Sequence, residues 1–285
     1  MIQGIDTSDI QGNINVPAVK AFGIEFIVAQ ATIGNETSRN SKTFHEVARQ
    51  CRSEDVVCIP YHFAFPLRAR NSPREAARRQ VEYVNGASDY PHALDLEWPY
   101  PNAWSHWSVN AGFVSDWGLT WLDEIETLTA RAGFLYTFPA FWASLGAEGK
   151  KPEWSKYPLW IAAPGQPKPP VVAPWASWTI HQTSHHGMVP GIRTPVDLDV
   201  FNGSRDDLLS YRGTSATHFD FLTPHELQVA LLTKGFSPGV LDGKVGPQTI
   251  AAVKAFQGFA GLVPDGIVGP KTTAALLANV PWKTG

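Results

Sequence analysis

Two cysteines in 285 residues, Cys51 and Cys58, are too few for a disulfide scaffold and lack the paired spacing of a zinc site, so buried free thiols are expected. Charge is sparse as well. Charged residues make up 17% of the chain and the formal net charge is -3, which leaves no electrostatic case for nucleic acid as a partner. No uninterrupted apolar run approaches a membrane span, and Met1 to Gln11 has neither the basic n-region nor the apolar h-region of an export signal. Synthesis in the cytoplasm is expected, with a separate export route to any extracellular target and no membrane partner. No His-Glu-x-x-His or Cys-x-x-Cys spacing occurs, so no catalytic metal and no cofactor is expected.

What the chain does have is apolar and aromatic. A hydrophobic content of 44% describes a soluble globular protein, and the length accommodates one medium domain with a small one. Eleven Trp stand out, because indole faces suit the flat apolar faces of sugars as well as ordinary cores.

Strand-like runs alternate with helical patterns up to about residue 200. Residues 2–6, 24–30, 56–63, 92–97, 133–137, 158–163, 176–182 and 196–200 read as strands. Helices are expected after the first five only: from Asn15 to Phe22, through Phe44 to Cys51, from the capping box Ser72-Pro73-Arg74-Glu75 to about Val84, over 109–131, and near 139–146. Eight such units imply a parallel sheet closed into an α/β, incomplete TIM-like barrel whose last three units have lost their helices; an open doubly wound sheet is the alternative.

A barrel of this kind carries its active site at the carboxyl ends of its strands. Asp6 ends the first strand, Tyr61 and His62 the third, Asp95 and Glu97 the fourth, Tyr136 the fifth, Gln182 the seventh, and Asp197 the eighth. Three acidic pairs at i, i+2 occur, where about two are expected by chance from 26 acidic residues. Glu124 and Glu126 fall in the helical pattern of Trp117, Trp121, Leu122, Ile125 and Leu128 and read as solvated. Asp95 with Glu97, and Asp197 with Asp199, fall instead at strand ends, where alternation aims both members of a pair the same way. Tyr61, Trp98, Tyr136 and Trp160 are candidate sugar platforms or rim fillers. His62 is either a core histidine or a ligand contact, and His185 and His186 read as surface residues of a loop.

Between Phe201 and Phe221 the chain turns polar and loses periodicity. The expected domains are therefore a barrel over 1–203, a linker over 204–222 and a compact three-helix all-α module over 223–285. Thr223, Pro224, His225 and Glu226 form a second capping box. Beyond it the run from Asp242, Asp-Gly-x-x-Gly-Pro-x-Thr, recurs from Asp265, and each copy leads through a turn to proline at the first position of a helix. A module this small suits binding; a structural cap is the other reading.

These residues together resemble glycoside hydrolase family 25, the muramidases of phage and fungal type. The match runs through Ile5, Asp6, Gln11 and Gly12, then Tyr61, His62 and Phe63, then Leu94 to Glu97, Tyr136 and Thr137, Leu159 to Ala162, Pro190 to Ile192, and Val196 to Leu198. Where the family often has Trp-Gln-Tyr-Thr, this chain has His181, Gln182 and Thr183. Residues 223 to about 280 resemble the small peptidoglycan-binding domain of wall hydrolases. The resemblance implies cleavage of the β-1,4 bond between N-acetylmuramic acid and N-acetylglucosamine in bacterial peptidoglycan, by a monomer.

It also implies roles for the acids. Glu97 would be the general acid and Asp95 would steady the substrate's 2-acetamido group in a retaining, substrate-assisted reaction, with Asp6 and Asp197 catalytic in roles left open. Tyr61, His62, Trp98, Tyr136, Trp160, Gln182 and Asp199 would bind substrate. A barrel of this family joined to a wall-binding module looks like a phage endolysin, held in the host cytoplasm until holins open the membrane. Rival readings are a non-catalytic wall-binding protein, a peptidoglycan amidase or peptidase, and a chitinase-like N-acetylglucosaminidase.

Overall fold

The computed structural model of the chain describes residues 1–34, 39–66, 72–98, 110–212, 222, 224–262, 264, 266, 268 and 270–278. The Trp and Pro-rich loop over 99–109, residues 213–221 of the expected linker, Thr223 of the second capping box, and Val263, Asp265, Ile267 and Gly269 of the second repeat lie outside the described residues. The chain divides into two units, Met1–Thr214 and Ser215–Gly285.

In the first unit eight strands close into a barrel: β1 (Ile2–Thr7), β2 (Ile24–Ile33), β4 (Val57–Phe63), β5 (Ala93–Asp95), β6 (Phe134–Thr137), β7 (Leu159–Ala162), β8 (Ile180–Gly187) and β9 (Val196–Phe201). Their order is β1-β9-β8-β7-β6-β5-β4-β2, with β1 pairing back onto β2 to close the ring; a two-residue β3 (Arg39–Asn40) hangs antiparallel on β2. Strand alternation divides the apolar residues. Phe26 and Val28 of β2 join Ile59, Tyr61, Phe134, Tyr136 and Trp160 inside the barrel, while Ile27, Ala29 and Ala31 face the helical layer with Phe44, Val47 and Cys51. Phe26 fills the interior so closely that a Cβ on Gly4 would come within 2.2 Å of its ring, which is why β1 carries a glycine there. Cys51 and Cys58 are free and buried.

The outer layer consists of α1 (Val16–Ala21), α2 (Phe44–Glu54), α3 (Pro73–Val84), α4 (Ala111–Thr129) and α5 (Pro139–Ser144). Three of the five starts follow from side-chain capping: Asn15, Ser72 and Asn110 accept from the backbone N–H of Ala18, Glu75 and Phe113.

The structure corrects the sequence reading in four places. The last strand is not parallel: β9 runs antiparallel to both β1 and β8. The connection over 188–195 is too short for a parallel crossover, which takes about a dozen residues or more. Second, β5 ends at Asp95, so Glu97 lies beyond the strand, although Leu96 N still donates to Tyr136 O at 3.0 Å. Third, Glu124 is buried rather than solvated, because Arg78 Nε at 2.7 Å and Arg74 reach it from α3. Fourth, a sixth helix, α6 (Arg205–Ser210), occupies the start of the expected linker. Ser204 and Asp207 form its capping box, and its Leu208 is buried in the cluster lining the barrel.

The second unit holds α7 (Pro224–Thr233), α8 (Pro247–Phe259) and α9 (Pro270–Leu277), packed through Leu227, Leu231, Val253, Phe256 and Leu276. A glutamine explains each repeat. Gly243 N donates to Gln228 Oε1 at 2.9 Å, and Gly266 N donates to Gln257 Oε1 at 2.8 Å. The same amides donate to the repeat threonines, Gln228 to Thr249 at 3.4 Å and Gln257 to Thr272 at 3.1 Å. Both glycines are left-handed, with φ of 70° and 83°, a conformation that costs an L side chain. No described helix is long and apolar enough to cross a membrane.

Candidate active site

A cleft of about 410 Å³ opens where the parallel strands end. Asp6, Asp95, Glu97 and Asp197 all line it, above Tyr61, Tyr136 and Trp160, with Gln182 on one wall. The reversal of β9 is what brings Asp197 there: its residue near the strand start pairs with Asp6 near the end of β1. A smaller hollow of about 130 Å³, beside Cys51, Cys58 and Arg212, contains none of these acids.

Gln182 ties the acids together from a buried position. Its Nε2 donates to Asp6 Oδ2 at 2.6 Å and to Asp197 Oδ2 at 3.4 Å, while its Oε1 accepts from the Tyr136 hydroxyl at 3.1 Å. Both Nε2 donors and one lone pair of Oε1 are engaged within the protein, which fixes the side chain beside the acids on the cleft wall.

The carboxyl groups hold their protons unusually tightly. Burial, then the charge of Asp197, pushes Glu97 up to about 7. Burial, then Glu97 and Asp197, raises Asp95 well above the ordinary carboxylate range. Burial likewise raises Asp6, with Asp199 and Asp197 adding to it. Like charges crowded in a partly dry cleft cannot all ionise, so the site retains protons near neutral pH. Asp95 and Glu97 differ in access: Asp95 is buried and its Oδ1 has no hydrogen-bond partner among the described residues, whereas Glu97 is partly exposed to the cleft.

Three expected substrate contacts are elsewhere. His62 points away from the cleft, because Tyr61 before it and Phe63 after it take the inner face. Its ring stacks near Trp117 and Trp121 of α4, with centroids 6.3 and 5.7 Å away. Thr32 Oγ1 spends its proton on Gln80 Oε1 at 2.9 Å, so His62 Nδ1 must donate to Thr32 at 2.8 Å. Burial pushes His62 down to about 3 and keeps it neutral. Asp199 faces inward but one pleat deeper, fully buried, accepting from Trp160 Nε1 at 2.8 Å. Trp98 packs edge-on against Phe138 and Phe141 at 4.9 and 5.5 Å.

One surface residue belongs to β8 rather than a loop, and to the cleft. His185 lines the cleft with its Nδ1 3.4 Å from Asp197 Oδ1. Asp9 also lines it and accepts from Ser41 Oγ at 2.7 Å and Lys42 N at 2.8 Å, fixing the wall that follows β1. Its place three residues past Asp6, beside Gln11 and Gly12, was the available signal. Among the described residues no cluster of His, Cys, Asp or Glu is arranged to hold a metal ion.

Sequence comparison matches residues 5–192 to Glycosyl hydrolases family 25 and residues 224–276 to a Putative peptidoglycan binding domain. Lysozyme M1 of Streptomyces globisporus is 28% identical over 229 residues, covering 75% of this chain and 72% of that protein. The autolytic lysozyme of Clostridium acetobutylicum is 29% identical over 263 residues, covering 90% and 72%. The crystal structure of the bacterial lysozyme from Streptomyces coelicolor superposes with a TM-score of 0.66 at 26% identity, over 75% of this chain and 98% of that one.

Proposed function

This chain belongs to glycosyl hydrolases family 25 and carries a peptidoglycan-binding domain behind the catalytic barrel, and from that membership we propose that it is an N-acetylmuramidase. Its substrate is bacterial peptidoglycan, and the bond cut is the β-1,4 link from N-acetylmuramic acid to N-acetylglucosamine. The observation that carries the reading is the convergence of Asp6, Asp95, Glu97 and Asp197 on one cleft at the strand ends.

In this reading Glu97 is the general acid. It is held near neutrality and faces the cleft, so it can hand its proton to the departing glycosidic oxygen as the C1–O bond breaks. The acetamido carbonyl oxygen of the same muramic acid attacks C1 and forms a cyclic oxazolinium ion. Asp95, ionised while its neighbour Glu97 carries the proton, accepts the acetamido N–H, which gives its Oδ1, without a partner among the described residues, a donor and offsets the positive charge. Water then adds at C1 while Glu97, now a carboxylate, takes its proton, and the ring opens with retained β configuration. Asp6 and Asp197, tied to Gln182, orient the acetamido group or the water. Tyr61, Tyr136 and Trp160 form the floor beneath the sugar.

The tail module holds the enzyme on the wall, and the biological role proposed is lysis of a bacterial host as an endolysin released from the cytoplasm. Mass spectrometry of muropeptides released from purified wall, with borohydride labelling of new reducing ends, tests the activity. Reduced muramic acid supports it; reduced glucosamine points to a glucosaminidase, new amines to an amidase or peptidase, and an unchanged wall to a binding protein. An α-configured first product, seen by NMR, contradicts the retaining route.

A further inference from the structure

The strand β8 outruns its parallel neighbour. Pairing with β7 stops at Gln182 opposite Ala162, and the rest of β8 pairs with β9 alone. Two register breaks interrupt that ladder, between Gln182 and Ser184 and between Ser184 and Gly187. Simple alternation would place Ser184 on the inner face with Gln182. The first break instead sets Ser184 opposite Leu198, which packs into the outer cluster, while Gln182 stays opposite the inward Asp199. Opposed residues in an antiparallel ladder share a face, so the bulge turns His185 inward beside Asp197.

We propose that His185 is a positioning residue of the hydrolase, gripping Asp197 by Oδ1 while Gln182 grips the same carboxylate by Oδ2. The proposal rests on the hydrolase reading above. Asp197 is the acid whose orientation is least secured by burial, since its side chain is 34% exposed. Its charge also adds to the effect of burial in raising Asp6, Asp95 and Glu97. Two holds at opposite oxygens fix the carboxylate plane. With either contact alone, each at the long distance of 3.4 Å, the group is free to rotate. His185 is itself 46% exposed, so the contact contributes little to stability and its value lies in geometry.

The test compares the parent with His185→Ala and His185→Asn in steady-state hydrolysis of soluble glycan fragments, with thermal melting as a control. Replacement by alanine should lower kcat roughly five- to fifty-fold with KM within about twofold, because misplacement of a working group slows the chemical step more than it weakens binding. Asparagine, whose amide replaces the Nδ1–H donor, should recover most of the loss. Unchanged kcat in the alanine variant, equal losses in both variants, a change confined to KM, or a fall in melting temperature of more than about 5 °C would each overturn the proposal. If the parent releases no reducing ends, the hydrolase reading fails; if the parent does and the variants match it, the role of His185 alone fails.

Discussion

Gln182 Nε2 donates to Asp6 Oδ2 at 2.6 Å, joining β8 to β1 across 176 residues of chain. Because the same side chain also accepts from Tyr136 and reaches Asp197, its removal acts on three groups at once. Gln182→Leu should leave the buried Tyr136 hydroxyl without an acceptor, costing about 1–3 kcal/mol, and free two acids to reorient. Urea denaturation should show the stability loss, and kcat on soluble glycan fragments should fall at least tenfold in the folded variant.

Glu97→Gln removes the proton donor while preserving shape. Loss of a general acid is worth roughly 10²–10⁴ in rate. Turbidity clearing of wall suspensions should fall by that order, while co-sedimentation with intact wall stays at the parent level, because the binding module is untouched.

The pH profile follows from the same group. Glu97 works as an acid only when protonated, and it is pushed up to about 7. As pH rises above about 7, kcat/KM should therefore fall, approaching tenfold per unit. A descending limb near the ordinary carboxylate value of about 4 would contradict the assignment.

Asp199 gives a stability signature of opposite use. Burial pushes its carboxyl up to about 7, against about 3.9 in an unfolded chain. The folded state thus holds the proton more tightly, so this contribution is full below about pH 4 and is lost as pH rises to about 7. Asp199→Asn keeps an oxygen for Trp160 Nε1 and removes the ionisation penalty. The variant should melt higher than the parent at pH 8, by the equivalent of a few kcal/mol, and level with it at pH 4.

His62 separates structure from catalysis. His62→Ala removes the donor to Thr32 Oγ1 and opens a gap beside Trp121, costing about 2–5 kcal/mol. Chemical denaturation should show this cost, with KM on glycan fragments unchanged in folded protein.

Most strand ends were legible because period-two apolar runs ending near Asp6, Phe63 and Tyr136 can be counted without coordinates, whereas the expected fourth strand overruns β5 by two residues and the expected seventh stops five short of the end of β8. His62 was misassigned against the same rule: once Tyr61 faces inward, its neighbour must face out. Asp199 obeyed alternation but lies a pleat below the opening, and depth along a strand is not written in its pattern. His185 was hidden for a different reason, since a bulge reverses the face of every later residue and leaves no compositional mark. Glu124 shows the limit of helical periodicity, because Arg74 and Arg78 arrive from another helix. The capping box of Ser204 and Asp207 is written in the sequence, but its polar neighbours give it the composition of a linker.

The reversed direction of β9 has a consequence for how such chains can be reassembled. A barrel whose final strand descends from the opening delivers its outgoing chain, through Phe201 and α6, at the rim opposite the cleft. The closing strand thus supplies the cleft with its first residues and leaves by its last, so the chain can be lengthened or shortened after α6 without altering the strands that carry Asp6, Asp95 and Gln182.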